Sequence, residues 1–115
     1  MIRRASDIRQ EVRTKARNGN GQVYFNHLLE SEEYLNKGRL FGKIVIPPQA
    51  SIGYHTHTDE MEIFYILEGQ ATVYQDANTY MLNPGDVMIT RAGESHCVEN
   101  NLSKDLIYVA LILNI

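Results

Sequence analysis

The chain has a single cysteine, Cys97, so no disulfide framework can staple it. No stretch approaches the ~18 apolar residues that a membrane-spanning helix needs. The opening residues, MIRRASDIRQEVRTK, carry charge throughout and lack the apolar centre of a secretory signal. Basic residues are few and interleaved with acidic ones, and no aromatic stacking motif accompanies them. These absences exclude a disulfide-rich secreted scaffold and set three expectations: a reducing, cytoplasmic setting, no membrane and no nucleic-acid partner.

What remains is a globular composition, with 43% hydrophobic and 22% charged residues in 115. That length is enough for one core and too short for two. Charge is uneven. Residues 1–43 hold 9 of the 11 Lys and Arg, and the remainder holds 9 of the 14 Asp and Glu. The basic half reads as a solvated face rather than a binding strip. Residues 1–21, with RTKARNGNG at their end, read as an N-terminal arm, and 22–115 as the folded domain. Gln22–Leu29 reads as a strand. Ser31–Lys37 reads as one short helix, capped by Ser31 and ended by Gly38. Further strands are expected at Leu40–Ile46, Met61–Leu67, Ala71–Gln75, Tyr80–Leu82, Asp86–Thr90, Ser95–Asn100 and Asp105–Leu113, each stopped by a Gly, Pro, Asn or Asp signal. Many short strands with almost no helix mean an all-β sandwich or barrel. Two of them, Met61–Leu67 and Asp105–Leu113, are apolar on both faces. A sheet with one wet face should alternate, so a second copy of the chain is expected to cover them as a homodimer.

Within this framework GYHTHTDEMEIFYILEG, residues 53–69, stands out. His55 and His57 are two apart and share a strand face. Glu62 follows on the next strand, with Phe64 and Ile66 on its side. His96 lies on a late strand with Val98 and Asn100. A buried carboxylate must be paired or must hold a metal. Three imidazoles and one carboxylate suit a divalent first-row ion, with positions left for a substrate oxygen. Without metal, the same four groups would make a buried hydrogen-bond network. His27 reads as structural or exposed, and Cys97, alternating away from His96, as a packed thiol.

The spacing resembles the cupins. Their first motif, G-x5-H-x-H-x(3,4)-E-x6-G, is matched by His55, His57, Glu62 and Gly69. Their second, G-x5-P-x-G-x2-H-x3-N, is matched by Gly85, Gly93, His96 and Asn100. Two positions depart. Gln49 replaces the first glycine, implying that no left-handed backbone is needed there. Arg91 replaces the proline, offering a candidate substrate-binding cation at the barrel mouth.

The resemblance implies a double-stranded β-helix, a jelly roll. His55, His57, Glu62 and His96 would ligate one divalent metal (Mn, Fe, Ni, Zn, Co or Cu), and Phe64, Ile66 and Val98 would wall the pocket. Gly69, Gly85 and Gly93 would be turn glycines, and Asn100 would end the second motif. No catalytic group beyond the metal shell is visible. The expected function is a metal-dependent enzyme acting on a small oxygen-bearing substrate, anionic if Arg91 reaches the mouth: a dioxygenase, hence an oxidoreductase, or an isomerase or lyase. The alternative is a non-catalytic sensing module that works with a partner.

Overall fold

The computed structural model describes residues 1–115. Ten antiparallel strands form two facing sheets, and the only helical elements are three short 3₁₀ turns. The strands are β1 (Arg9–Thr14), β2 (Gln22–Leu29), β3 (Gly38–Ile46), β4 (Ser51–Thr56), β5 (Glu60–Glu68), β6 (Ala71–Gln75), β7 (Asn78–Leu82), β8 (Val87–Thr90), β9 (Ser95–Glu99) and β10 (Leu106–Asn114). One sheet has six strands in the order β1-β2-β3-β10-β5-β8, and the other has four in the order β4-β9-β6-β7. This is the expected jelly roll.

The pleat explains the core. Along β3, β5 and β10 the buried residues alternate with half-buried or exposed ones, so Ile44, Phe64, Ile66, Tyr108, Ala110 and Ile112 face the opposite sheet. Val73 and Val98 meet them from the four-stranded sheet. Asn100 is fully buried beside this core, and its side-chain amide donates to Ile46 O and Lys104 O, both at 2.8 Å. Gly69, Gly85 and Gly93 all sit at positive φ in turns. At Gly69 a Cβ would also stand 2.6 Å from Asp105 O, so both backbone and space demand glycine.

Three sequence expectations need correction. The residues read as an arm contain β1, paired along its length with β2, and three of their arginines are neutralised locally. Arg3 binds Glu33 through two bonds of 2.6 and 2.8 Å, Arg9 binds Glu30 at 2.7 Å, and Arg13 binds Glu11 at 2.9 Å. The expected helix over 31–37 is a single 3₁₀ turn, Ser31–Tyr34. Leu35 and Asn36 then adopt left-handed backbone and turn the chain into β3, while Glu30 N–H rather than a Ser31 cap meets the Glu33 carboxylate at 2.7 Å. Gln49 does take the left-handed conformation of the glycine it replaces, at φ 68°, and its carbonyl accepts a bond from the Asn20 amide at 2.9 Å. Of the two roles expected for His27, the structural one holds. It is buried and bonded through Nε2 to Glu11 at 2.8 Å. Together with Arg13, this bond holds the Glu11 carboxyl down to about 2.

Candidate metal centre

Three strands and one bend bring the four polar groups together. β4 carries His55, and the chain bends immediately after it so that His57 turns inward and is fully buried. This bend is pinned to the later motif: Gly93 N–H donates to His57 O at 2.7 Å, and His57 N–H donates to Glu94 O. β9 lies beside β4 with His96 opposite His55. Glu62 comes from the facing sheet, on β5. The cluster therefore sits between the sheets.

His55, His57, Glu62 and His96 each offer one donor atom, and all four atoms lie within 4.8 Å of one another. His57 Nε2 is 3.0 Å from Glu62 Oε1 and 3.0 Å from His96 Nε2. His96 Nε2 is in turn 3.1 Å from Glu62 Oε1 and 3.2 Å from His55 Nε2.

The opposite edge of each imidazole decides what these contacts are. His55 Nδ1 faces Gly53 O at 2.7 Å, and a carbonyl can only accept, so Nδ1 carries the proton. His57 Nδ1 donates to Glu60 Oε1 at 2.8 Å. His96 Nδ1 lies 2.8 Å from Thr90 Oγ1, whose own proton goes to Gln75 Oε1, so His96 also donates. All three Nε2 atoms thus present lone pairs to the same point as the Glu62 carboxylate. Four acceptors packed this closely repel one another unless a cation lies among them.

Without metal, that cation is a proton. The bond to Glu62, aided by Glu60, raises the His57 pKa despite burial. Burial pushes Glu62 up, but bonds from His57 and His96 outweigh it and leave the carboxyl below its ordinary value. Burial drives His55 down to about 4, opposed only in part by Gly53 O, so His55 stays neutral with its Nε2 lone pair available to a metal.

The spacing fits a metal too. Two donors at right angles on bonds of about 2.1 Å stand about 3.0 Å apart, and at tetrahedral angles about 3.4 Å. With four separations of 3.0–3.2 Å and all donor atoms within 4.8 Å of one another, the set would hold one divalent first-row ion.

The outer partners of these ligands are not visible in any motif. Glu60 is the main one. It grips His57 and is itself held by Arg39 through bonds of 2.7 and 2.8 Å, which, with His57, bring its carboxyl down to about 2. Carboxylates bound to ligand histidines fix ring orientation and raise basicity. Glu60→Gln should therefore weaken metal binding by about 10–100-fold with the fold intact, as measured by metal titration alongside circular dichroism. Only the i,i+3 spacing from His57 hinted at Glu60.

The cluster opens into a cavity of about 90 Å³, room for a molecule of a few heavy atoms. Phe64, Val98, Ile52 and Tyr108 line it. Phe64 stacks on His96 with centroids 5.4 Å apart. Ile66 is fully buried one pleat further along and does not reach the wall. Arg91 is also absent from the wall. It is exposed in the turn before β9, where its backbone N–H donates to Glu94 at 2.6 Å. The arginines that do line the cavity are Arg13, Arg17 and Arg39.

Residues 42–112 match the model of the cupin domain, well over half of the chain. The chain is a cupin. Across 98% of its length it is 40% identical to the oxalate-binding protein of Thermotoga maritima, covering 93% of that protein. The crystal structure of a predicted oxalate decarboxylase from Thermotoga maritima superposes on this cupin with a TM-score of 0.95 and 39% identity over the whole of both chains. The cupin domain of an XRE family transcriptional regulator from Enterobacter cloacae shares the fold at 19% identity, with a TM-score of 0.70 over 81% of this chain and 97% of that one.

Proposed function

We propose that this cupin binds one divalent first-row transition metal through His55, His57, Glu62 and His96, and that the loaded cavity takes a small carboxylate, with oxalate as the first ligand to test. The carrying observation is the convergence of three imidazole Nε2 atoms and a buried carboxylate on one point. When bound, the metal would supply Lewis-acid positions for ligand oxygens. The chain's own residues do the rest. Gly53, Glu60 and Thr90 orient the imidazoles, and Phe64, Ile52 and Val98 form an apolar wall. The small volume excludes large ligands. The name of the Thermotoga maritima relative supports oxalate as the choice.

Mn²⁺-loaded protein titrated with oxalate in a calorimeter should show one saturable site per chain, absent without metal. Loaded protein that gives no heat with oxalate, malonate or acetate would overturn the carboxylate reading.

Catalysis on the same ligand is the second reading, of lyase or oxidoreductase type. The description of the related crystal structure as a predicted oxalate decarboxylase favours it. Incubation with ¹³C-oxalate separates the two: formate or carbon dioxide in the NMR spectrum marks an enzyme, and unchanged oxalate marks a binding or sensing module. A reducing, cytoplasmic setting suits the lone buried thiol of Cys97.

The chain is further proposed to work as a homodimer. On the outer face of the six-stranded sheet, Leu111 lies between Phe41 and Ile63, Ile63 beside Ile89, and Val109 beside Tyr65. All of these are only partly buried or exposed, an apolar patch unusual for a monomer surface. Sedimentation should give about twice the 13.1 kDa chain mass, and a monomer at micromolar concentration would refute this.

A further inference from the structure

The wall of the cavity has an uneven charge pattern. Arg13 is bound to Glu11 and stacked 4.0 Å over Phe25, and Arg39 is bound to Glu60. Arg17 lines the same cavity with no carboxylate in ion-pair reach. Counting a divalent ion against Glu62, and the two paired arginines against their glutamates, the loaded site is left with two positive charges: one at the metal cluster and one at Arg17. A small dianion would neutralise both.

A second polar group waits in the same space. Tyr108 is 1% exposed and lines the cavity, packed 4.6 Å from Phe64. Its hydroxyl makes no hydrogen bond within the protein. Every fully buried side-chain oxygen and nitrogen has a partner, so the phenol oxygen must reach the open part of the cavity. It is a free donor among the apolar side chains of the wall.

The turn bearing Arg17 is built with unusual backbone. Lys15, Arg17 and Asn18 all take left-handed conformations, at φ 52, 52 and 62°. Such residues persist only where their surroundings hold them, and they concentrate at functional sites. Here the surroundings are β4. Asn20 and Ser51 exchange bonds of 2.9 and 2.8 Å, and Ala16 is buried. The turn also presses on two glycines, since a Cβ on Gly53 would stand 2.1 Å from Arg17 O and one on Gly19 would stand 2.3 Å from Ser51 O. Gly53 is the residue whose carbonyl orients His55.

We infer that Arg17 and Tyr108 form the distal half of the ligand site, binding the carboxylate of a small dianion that faces away from the histidine cluster, and so make the cavity selective for dicarboxylates over monocarboxylates. This rests on the metal and carboxylate reading above. Arg17 supplies charge and N–H donors, and Tyr108 supplies one O–H donor. Neither touches the metal donors in this assignment, so metal loading should not depend on them.

The test compares Mn²⁺-loaded wild type, Arg17→Gln, Arg17→Lys and Tyr108→Phe by calorimetry with oxalate, malonate and acetate, with metal content measured on each. All four should load Mn²⁺ equally. Arg17→Gln should weaken oxalate binding at least about tenfold, the size of one charge-assisted hydrogen bond, with little change for acetate. Arg17→Lys should restore part of the dianion preference, and Tyr108→Phe should weaken oxalate several-fold. An unchanged oxalate-to-acetate ratio in Arg17→Gln would overturn the role of Arg17, and unchanged oxalate affinity in Tyr108→Phe that of Tyr108, in both cases with the metal and carboxylate reading intact. A wild type that loads no Mn²⁺, or loads it and binds none of the three acids, would bring down the earlier reading and this one together.

Discussion

Glu62→Gln should cost the protein at least about a hundredfold in metal affinity, beyond what loss of an outer partner such as Glu60 removes. The carboxylate is the only anion among the four donors, and it is buried within 3.0–3.1 Å of two imidazole nitrogens. An amide keeps the shape but removes the charge, and its NH₂ group would face lone pairs. The effect should appear in metal titration with circular dichroism unchanged. The same variant should lower the His57 pKa, because the bond to Glu62 is the largest influence raising it. Wild-type metal affinity retained in Glu62→Gln would remove Glu62 from the ligand set.

Asn100→Ala should be the most destabilising single change outside the cluster, at about 3 kcal/mol, or roughly a 10 °C fall in midpoint for a domain of this size. Asn100 has no exposure, yet it satisfies three backbone groups: it donates to Ile46 O and Lys104 O and accepts from Leu102 N–H at 3.0 Å. Its own backbone adds two more links, to Ala50 O and from Gln49 N–H. Alanine would leave the buried Ile46 carbonyl of β3, and the Lys104 carbonyl in the turn before β10, without this donor. Asn100→Asp is the control, since it keeps the acceptor and loses both donors. Thermal melts within about 2 °C of wild type for both variants would show that water replaces these bonds.

Much of the architecture was legible in the sequence because strands such as Ala71–Gln75 and Ser95–Glu99 are short apolar runs between strong turn signals. Glu62 and His96 could be read for a similar reason: each shares a strand face with apolar neighbours, which forces a buried polar group to have a purpose. Other features were hidden. Half of β1 is charged, RQEVRT, and it becomes a strand because Glu11 bonds His27 of β2 and Arg13 stacks over Phe25 of β2. β4 breaks its register between Ile52 and His55, so periodicity alone does not show that His57 lies past its end. Arg17 could not be placed at all. Its position depends on a left-handed turn packed against Gly53, a tertiary contact with no local signature.

β10 pairs with β3 on one side and β5 on the other. Leu106 meets Ile46, about 60 residues earlier in the chain, so both neighbours leave the ribosome well before the strand that joins them. In that interval β3 and β5 each expose an open edge rich in Ile, Val, Phe and Tyr, the kind of edge that recruits other chains. Closing loops of this length makes folding slow relative to a helical domain of equal size. The six-stranded sheet, and with it the position of Glu62 on β5, is therefore completed late. The nascent protein should pass through an aggregation-prone stage in which the three histidines are already in the chain but their carboxylate partner is not yet fixed.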